Sequence, residues 1–160
     1  MKKKISILVL VFMLLGTAGL FAQEAFGFIK PTLSFGMTNF KVEDYADHAR
    51  TFAFDVDFVH KTGFTLGTQN TFSWRVDRMT TAENQIFAFG PGYTFDAGVF
   101  SLGGKLMIMP IGLGGAGLNV NGTWWFMDSL GLTGLFDYYV NRSDQKWRIM
   151  SFRAGVSVKI

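Results

Sequence analysis

Phe52, Phe54, Val56 and Phe58 alternate with Thr51, Ala53, Asp55 and Asp57. In an extended chain successive side chains point to opposite faces, so this stretch has one face of rings and one face with two carboxylates. A helix would scatter Asp55 and Asp57 among the phenylalanines, because each residue there turns the chain by about 100°. The stretch is therefore a strand, and a strong constraint on everything around it. Its two faces must meet two different environments.

The same zigzag recurs along the chain. Eight alternating segments are predicted, at about 26–37, 51–60, 63–76, 85–96, 98–109, 118–127, 130–140 and 147–160. One side of each carries Phe, Leu, Ile, Trp or Val; the other carries Gly, Ser, Thr, Asn, Ala and a few charges. The connections alternate in length: 38–50, 77–84 and 110–117 are long, 61–62, 97 and 128–129 are tight, and 141–146 is intermediate. Eight antiparallel strands joined in this way place both ends of the sheet on the side of the tight turns. The reading is all-β, an eight-stranded antiparallel up-and-down transmembrane β-barrel over residues 23–160, preceded by a cleavable signal peptide over 1–22. Three features strain it. Pro31 and Pro91 fall inside strands and remove ladder donors, so a bulge is expected at Gly90, Pro91 and Gly92. Phe26 and Phe28 have the opposite parity to Ile29, which predicts a slipped or late start to the first strand.

Export follows from the N-terminus. Lys2, Lys3 and Lys4 precede an apolar run over 5–15, then small residues lead to Ala22, after which cleavage is expected. Those three lysines account for the formal net charge of +3, so the rest of the chain is near neutral and a nucleic-acid partner has no electrostatic footing. With no cysteine, neither a disulfide nor a lipid-modified cysteine can contribute.

Composition decides which face meets what. The apolar set is too bulky for the inside of an eight-stranded barrel, and the small polar set would fill that narrow interior well. Glycine, serine and threonine also make a poor solvent face, which would carry many lysines and glutamates. Lipid is therefore expected on the ring side. The runner-up is a soluble exported, lipocalin-like barrel with the faces reversed and a small apolar ligand inside. A narrow channel or a membrane-embedded enzyme is a further alternative. Signal peptide, eight period-two strands, alternating connections and a final strand reaching Ile160 together resemble the small outer-membrane barrels of the OmpA/OmpX type. The resemblance implies a bacterial outer-membrane location, the lipid bilayer and the outer-membrane assembly machinery as partners, and a structural or surface-interaction role through extracellular loops. That family ends on an aromatic residue, where this chain has Ile160.

Candidate chemistry is sparse. Lys30, Asp55, Asp57, Arg75, Lys105, Asp137, Arg153 and Lys159 share the interior parity, and buried charges must pair. The expected pairs are Lys30 with Asp57 and Asp137 with Arg153, as a plug; a proton or ion path is the competing use. Arg142, Lys146, Trp147 and Arg148 are candidate lipid-headgroup contacts. Rings near the rims suggest interfacial girdles, with Trp74, Tyr138 and Trp147 at the outer end and Phe64, Tyr93, Phe95 and Phe126 at the inner. Residues 112–117 match G-x-G-x-x-G with Asp137 twenty residues on, but strand alternation follows where a nucleotide site needs a helix. Glu43, Asp44, Asp47 and His48 are weak metal ligands within one loop, and His48 and His60 form no catalytic set with a serine and an aspartate. No cofactor, metal or catalytic residue is expected, and the sequons at Asn121 and Asn141 are idle in a bacterial setting.

Overall fold

The computed structural model describes residues 26–42, 45–75, 84–110, 114–141 and 147–160. The expected signal peptide and much of three connections lie outside those residues. Eight strands follow in chain order: β1 Phe26–Val42, β2 Tyr45–His60, β3 Phe64–Arg75, β4 Asn84–Asp96, β5 Phe100–Met109, β6 Gly115–Met127, β7 Leu130–Asn141 and β8 Trp147–Val158. Each pairs antiparallel with the next, and β8 pairs with β1 to close the barrel. The all-β, eight-stranded architecture read from the alternation is thus the one observed.

Parity holds along the strands except at their tight-turn ends. Phe35 is 62% exposed, Phe95 63% and Leu106 67%, while Lys30 is 1% exposed, Asp55 2% and Arg153 4%. Rings and branched aliphatics cover the outside of every strand, and small polar residues and paired charges line most of the inside. An apolar band of this extent in water would drive aggregation, whereas in a bilayer it faces acyl chains. The lipocalin-like arrangement, which needs the phenylalanines inside, is overturned by this orientation.

The expected long connection at 38–50 is mostly strand. β1 has 17 residues and β2 has 16, paired without a break from Phe28↔Val59 to Val42↔Tyr45. Alternation weakens there because the outward positions become polar at the membrane boundary, which hides the strand from a hydrophobicity pattern. The glycine-rich run at 112–117 is also part strand, since Gly115, Ala116 and Gly117 belong to β6 and pair with β5.

The bulge expected at Pro91 is absent. Phe89↔Ile108 and Gly92↔Lys105 keep one register, and the ladder is merely interrupted between them. Gly90 allows this: a Cβ there would strike the Leu106 carbonyl, so the two backbones approach closely where the proline offers no donor. Register shifts occur instead between Phe26 and Phe28 and between Trp125 and Met127, both at the tight-turn end. The first accounts for the parity change seen in the sequence. Pro31 is tolerated because the β1–β8 seam passes over it, from Thr32↔Ser157 to the paired backbones of Ile29 and Ile160 at 2.9 and 3.0 Å.

The closing seam depends on Gly36, where a Cβ would meet the Phe152 carbonyl and lie 2.7 Å from Arg153 Cα. Gly134 faces outward with nothing within 4 Å of the same construction. Gly36→Ala is expected to cost about 3 kcal/mol through overpacking, and Gly134→Ala to leave stability nearly unchanged. Heat-modifiable gel mobility and urea unfolding in detergent check both; equal behaviour of the two variants would refute the seam argument.

Candidate functional site

The interior is the place where this chain concentrates chemistry, and it is built in three levels. The middle level is ionic. Asp57 on β2 receives Lys105 from β5 through Oδ1 and lies 3.4 Å from Lys30 Nζ on β1 through Oδ2. Lys30 donates to Asn121 Oδ1 at 2.7 Å, Asn121 to Asn119 Oδ1 at 3.2 Å, and Asn119 to Asp137 Oδ1 at 2.6 Å. Arg153 then completes the chain. Its Nε donates to Asp137 Oδ2 at 2.9 Å, and its Nη1 donates to Asp55 Oδ2 at 2.8 Å and Ser34 Oγ at 2.7 Å. Three cations therefore face three carboxylates in one connected network that crosses the lumen.

Small residues make room for it. A Cβ at Gly67 would fall 2.7 Å from Asp57 Oδ1, and one at Gly92 would fall 2.6 Å from Lys105 Cγ. The lysine stem thus lies over two glycines on β3 and β4. Such a network holds only when its members are paired, since an isolated buried charge is costly. Asp55 Oδ1 is a buried acceptor that receives no hydrogen bond from the described residues.

Toward the long connections the interior turns apolar. Ile86, Ala88, Met107, Met109, Tyr139, Trp147 and Ile149 form one buried cluster, with Phe40 packed against it. Tyr139 anchors the cluster to the polar level by donating to Gln69 Oε1 at 2.7 Å. Toward the tight turns the lining is hydroxylic, with Thr32, Ser157, Thr133 and Thr123 linked in series at 2.5–2.8 Å. At that mouth Lys159 Nζ reaches Asp96 Oδ2 at 2.5 Å and sits 4.5 Å from the Phe28 ring centroid.

Several expected site residues take different places. Lys159 follows the end of β8 and is half-buried at the mouth rather than inside the barrel. Trp147 is no headgroup contact and no girdle residue: its odd parity on β8 matches Ile149, Ser151 and Arg153, and it is only 6% exposed. Arg148, of the opposite parity, is exposed on the outer face. Arg142 and Lys146 lie outside the described residues, as do the side chain of Arg75 and residues 43–44 of the candidate metal loop. His48 faces outward, with its Nδ1 2.5 Å from Asn39 Oδ1. His60 sits at a tight turn, 2.9 Å from Thr62 Oγ1.

Sequence reasoning placed Lys30 beside Asp57 and Asp137 beside Arg153, and these come together. It did not foresee Asp55 with Arg153 or Asp57 with Lys105. Those contacts skip one or more strands, so they depend on barrel diameter rather than on neighbouring register. The inward apolar cluster was missed too, although the parity of Trp147, Ile149, Met107 and Met109 was readable.

The closed eight-strand topology and the inverted faces decide the comparison with solved structures. The fold is that of the small outer-membrane β-barrels. Neisserial surface protein A superposes with a TM-score of 0.63 at 13% identity, over 82% of this chain and 97% of that one. The attachment invasion locus protein Ail of Yersinia pestis, in complex with the heparin analogue sucrose octasulfate, gives 0.57 at 10%, over 83% and 99%. A de novo designed transmembrane β-barrel gives 0.54 at 9%, over 84% and 96%. No protein-family model matches the chain, and no curated protein matches it in sequence.

In a closed barrel of this fold the arginine is the network's least replaceable member. Arg153→Met should cost about 3–5 kcal/mol, because Asp55 and Asp137 are left buried without a counter-charge. Adding Asp55→Asn and Asp137→Asn should recover much of that loss. Denaturant unfolding followed by tryptophan fluorescence is the check, and a triple variant no better than Arg153→Met would refute the charge argument.

Proposed function

We propose that the protein is a sealed outer-membrane barrel with a structural or surface-interaction role, and that it neither conducts ions nor catalyses a reaction. The observation that supports sealing is the connected network from Lys105 to Asp55, lying beneath an apolar level that contains Trp147 and Met109. A permeating ion would have to break paired charges and then enter a dry layer, each at a cost of several kcal/mol. A surface role is favoured by the long β1–β2 hairpin. A hydrocarbon layer about 25 Å tall takes roughly ten residues of a tilted strand, and β1 and β2, with 17 and 16 residues, are longer than that. Ail is described by its name as an attachment and invasion protein, and it was crystallised with a polyanion. By analogy, the outer end of this barrel is the part that meets the surroundings. Residues 1–22 would direct export, and the outer-membrane assembly machinery would insert the barrel.

Planar-bilayer recording tests the sealed interior. The mature barrel should show no steady conductance on the nanosiemens scale, and a double change of Lys105 and Arg153 to serine should introduce leak. Steady conductance by the unaltered protein would overturn the proposal. In cells, the chain should resist alkaline extraction from the outer-membrane fraction, and release into the soluble fraction would overturn the location.

A further inference from the structure

The outward row of β1 changes character along its length. Leu33, Phe35 and Met37 are followed by Asn39 and Lys41, all exposed. The neighbouring strands change at the same level. Lys41 lies directly opposite Arg148 on β8, Asn39 opposite His48 on β2, and Met37 opposite Arg50 on β2. Arg50 in turn stands beside Trp74 on β3. Three cations thus stand on adjacent strands where the apolar band ends, Arg50 four residues along the ladder from the Lys41–Arg148 pair, and none forms an ion pair among the side chains described.

Beneath them the wall is hollowed. A groove runs down from Asn39 and His48 between Met37, Phe35 and Phe152 and is floored by Ala154. A second groove begins at Ala154 and continues over Gly134 between Leu132 and Val156. Ala154 and Gly134 are opposite each other in the β7–β8 ladder, so the two hollows form one trough. Its floor is small side chains and its walls are branched or aromatic; Asn39 and His48 stand at its upper end, one outward-facing pair short of Lys41 and Arg148 along the β1–β8 ladder.

We propose that this face is a binding site for one anionic, phosphate-bearing lipid of the surrounding leaflet. Lys41, Arg148 and Arg50 would hold the headgroup, and the trough over Ala154 and Gly134 would take an acyl chain. The inference rests on the membrane reading above and adds a ligand class to it. Charge and shape point to the same occupant. Lysine and arginine at the edge of a hydrocarbon layer extend to headgroup phosphates, whereas a bare chain-shaped hollow in the band exposes poorly packed wall to lipid. A soluble polyanion would satisfy the cations and leave the trough without a purpose.

The test uses the full mature barrel in phosphatidylcholine bilayers containing a minority of phosphatidylglycerol. Lipid retained after mild extraction is read by native mass spectrometry, and insertion by heat-modifiable mobility. The unaltered barrel should retain phosphatidylglycerol in preference to phosphatidylcholine. Arg148→Gln and Lys41→Gln should each lower that preference about fivefold. Ala154→Phe, which fills the trough, should reduce retention of both lipids while the barrel still inserts. Sucrose octasulfate and inorganic phosphate should displace little of the bound lipid. Equal retention of the two lipids, or an unchanged ratio in Arg148→Gln, would overturn the site. So would displacement by octasulfate together with no effect of Ala154→Phe, which would make the patch a reader of free polyanions. A chain that fails to insert at all overturns the membrane reading and this site with it; one that inserts without headgroup preference overturns this site alone.

Discussion

A strand that crosses hydrocarbon cannot leave its backbone donors and acceptors bare, because no water is there to satisfy them. Closure of β8 onto β1 is the step that removes the last two bare edges. Everything else in the molecule accommodates that closure. Gly36 and Gly155 let the two backbones approach at the seam, where a Cβ on either would collide with the facing carbonyl. Pro31 lies at a point where the seam continues on both sides of it. The register shifts are confined to the tight-turn end, away from the middle of the sheet.

Closure also fixes the interior. An eight-stranded barrel encloses a narrow lumen, and its inward side chains must fill that space. Here it is filled by a few long ionic side chains passing over glycine, as Lys105 does over Gly67 and Gly92. Long and short residues on opposite walls interdigitate, so glycine content and buried charge are two sides of one packing solution. The apolar cluster around Tyr139 and Trp147 closes the other end by different chemistry.

Much of this architecture is legible in the sequence, because a period of two assigns every strand residue to one face. Phe52, Phe54 and Phe58 announce the lipid side, and Asp55 and Asp57 the lumen, without any coordinates. Legibility fails where hydrophobic contrast fails. Residues 38–42 and 45–50 are strand, yet Asn39, Lys41, His48 and Arg50 look outward as Phe35 does, so the alternation loses its amplitude. Trp147 was misplaced for a related reason: an aromatic at a strand end suggests an interface, and only its parity with Arg153 reveals that it turns inward. Contacts across the lumen were not legible either. Asp57 meets Lys105 because of the curvature of the whole wall, which no pair of adjacent segments encodes.

The closing seam has a kinetic corollary. Thr32 and Ser157 bond across 125 positions of chain, and every pair in the β1–β8 ladder, down to Val42 with Trp147, spans well over half of it. Contacts this distant in sequence form late, since the loop entropy must be overcome before they contribute anything. During that interval β1 presents an open, ring-studded margin that any other extended chain could zip onto. Exposure of that margin is therefore written into the connectivity itself, and variants that slow the arrival of β8 should reveal themselves as aggregates before they reveal themselves as unstable barrels.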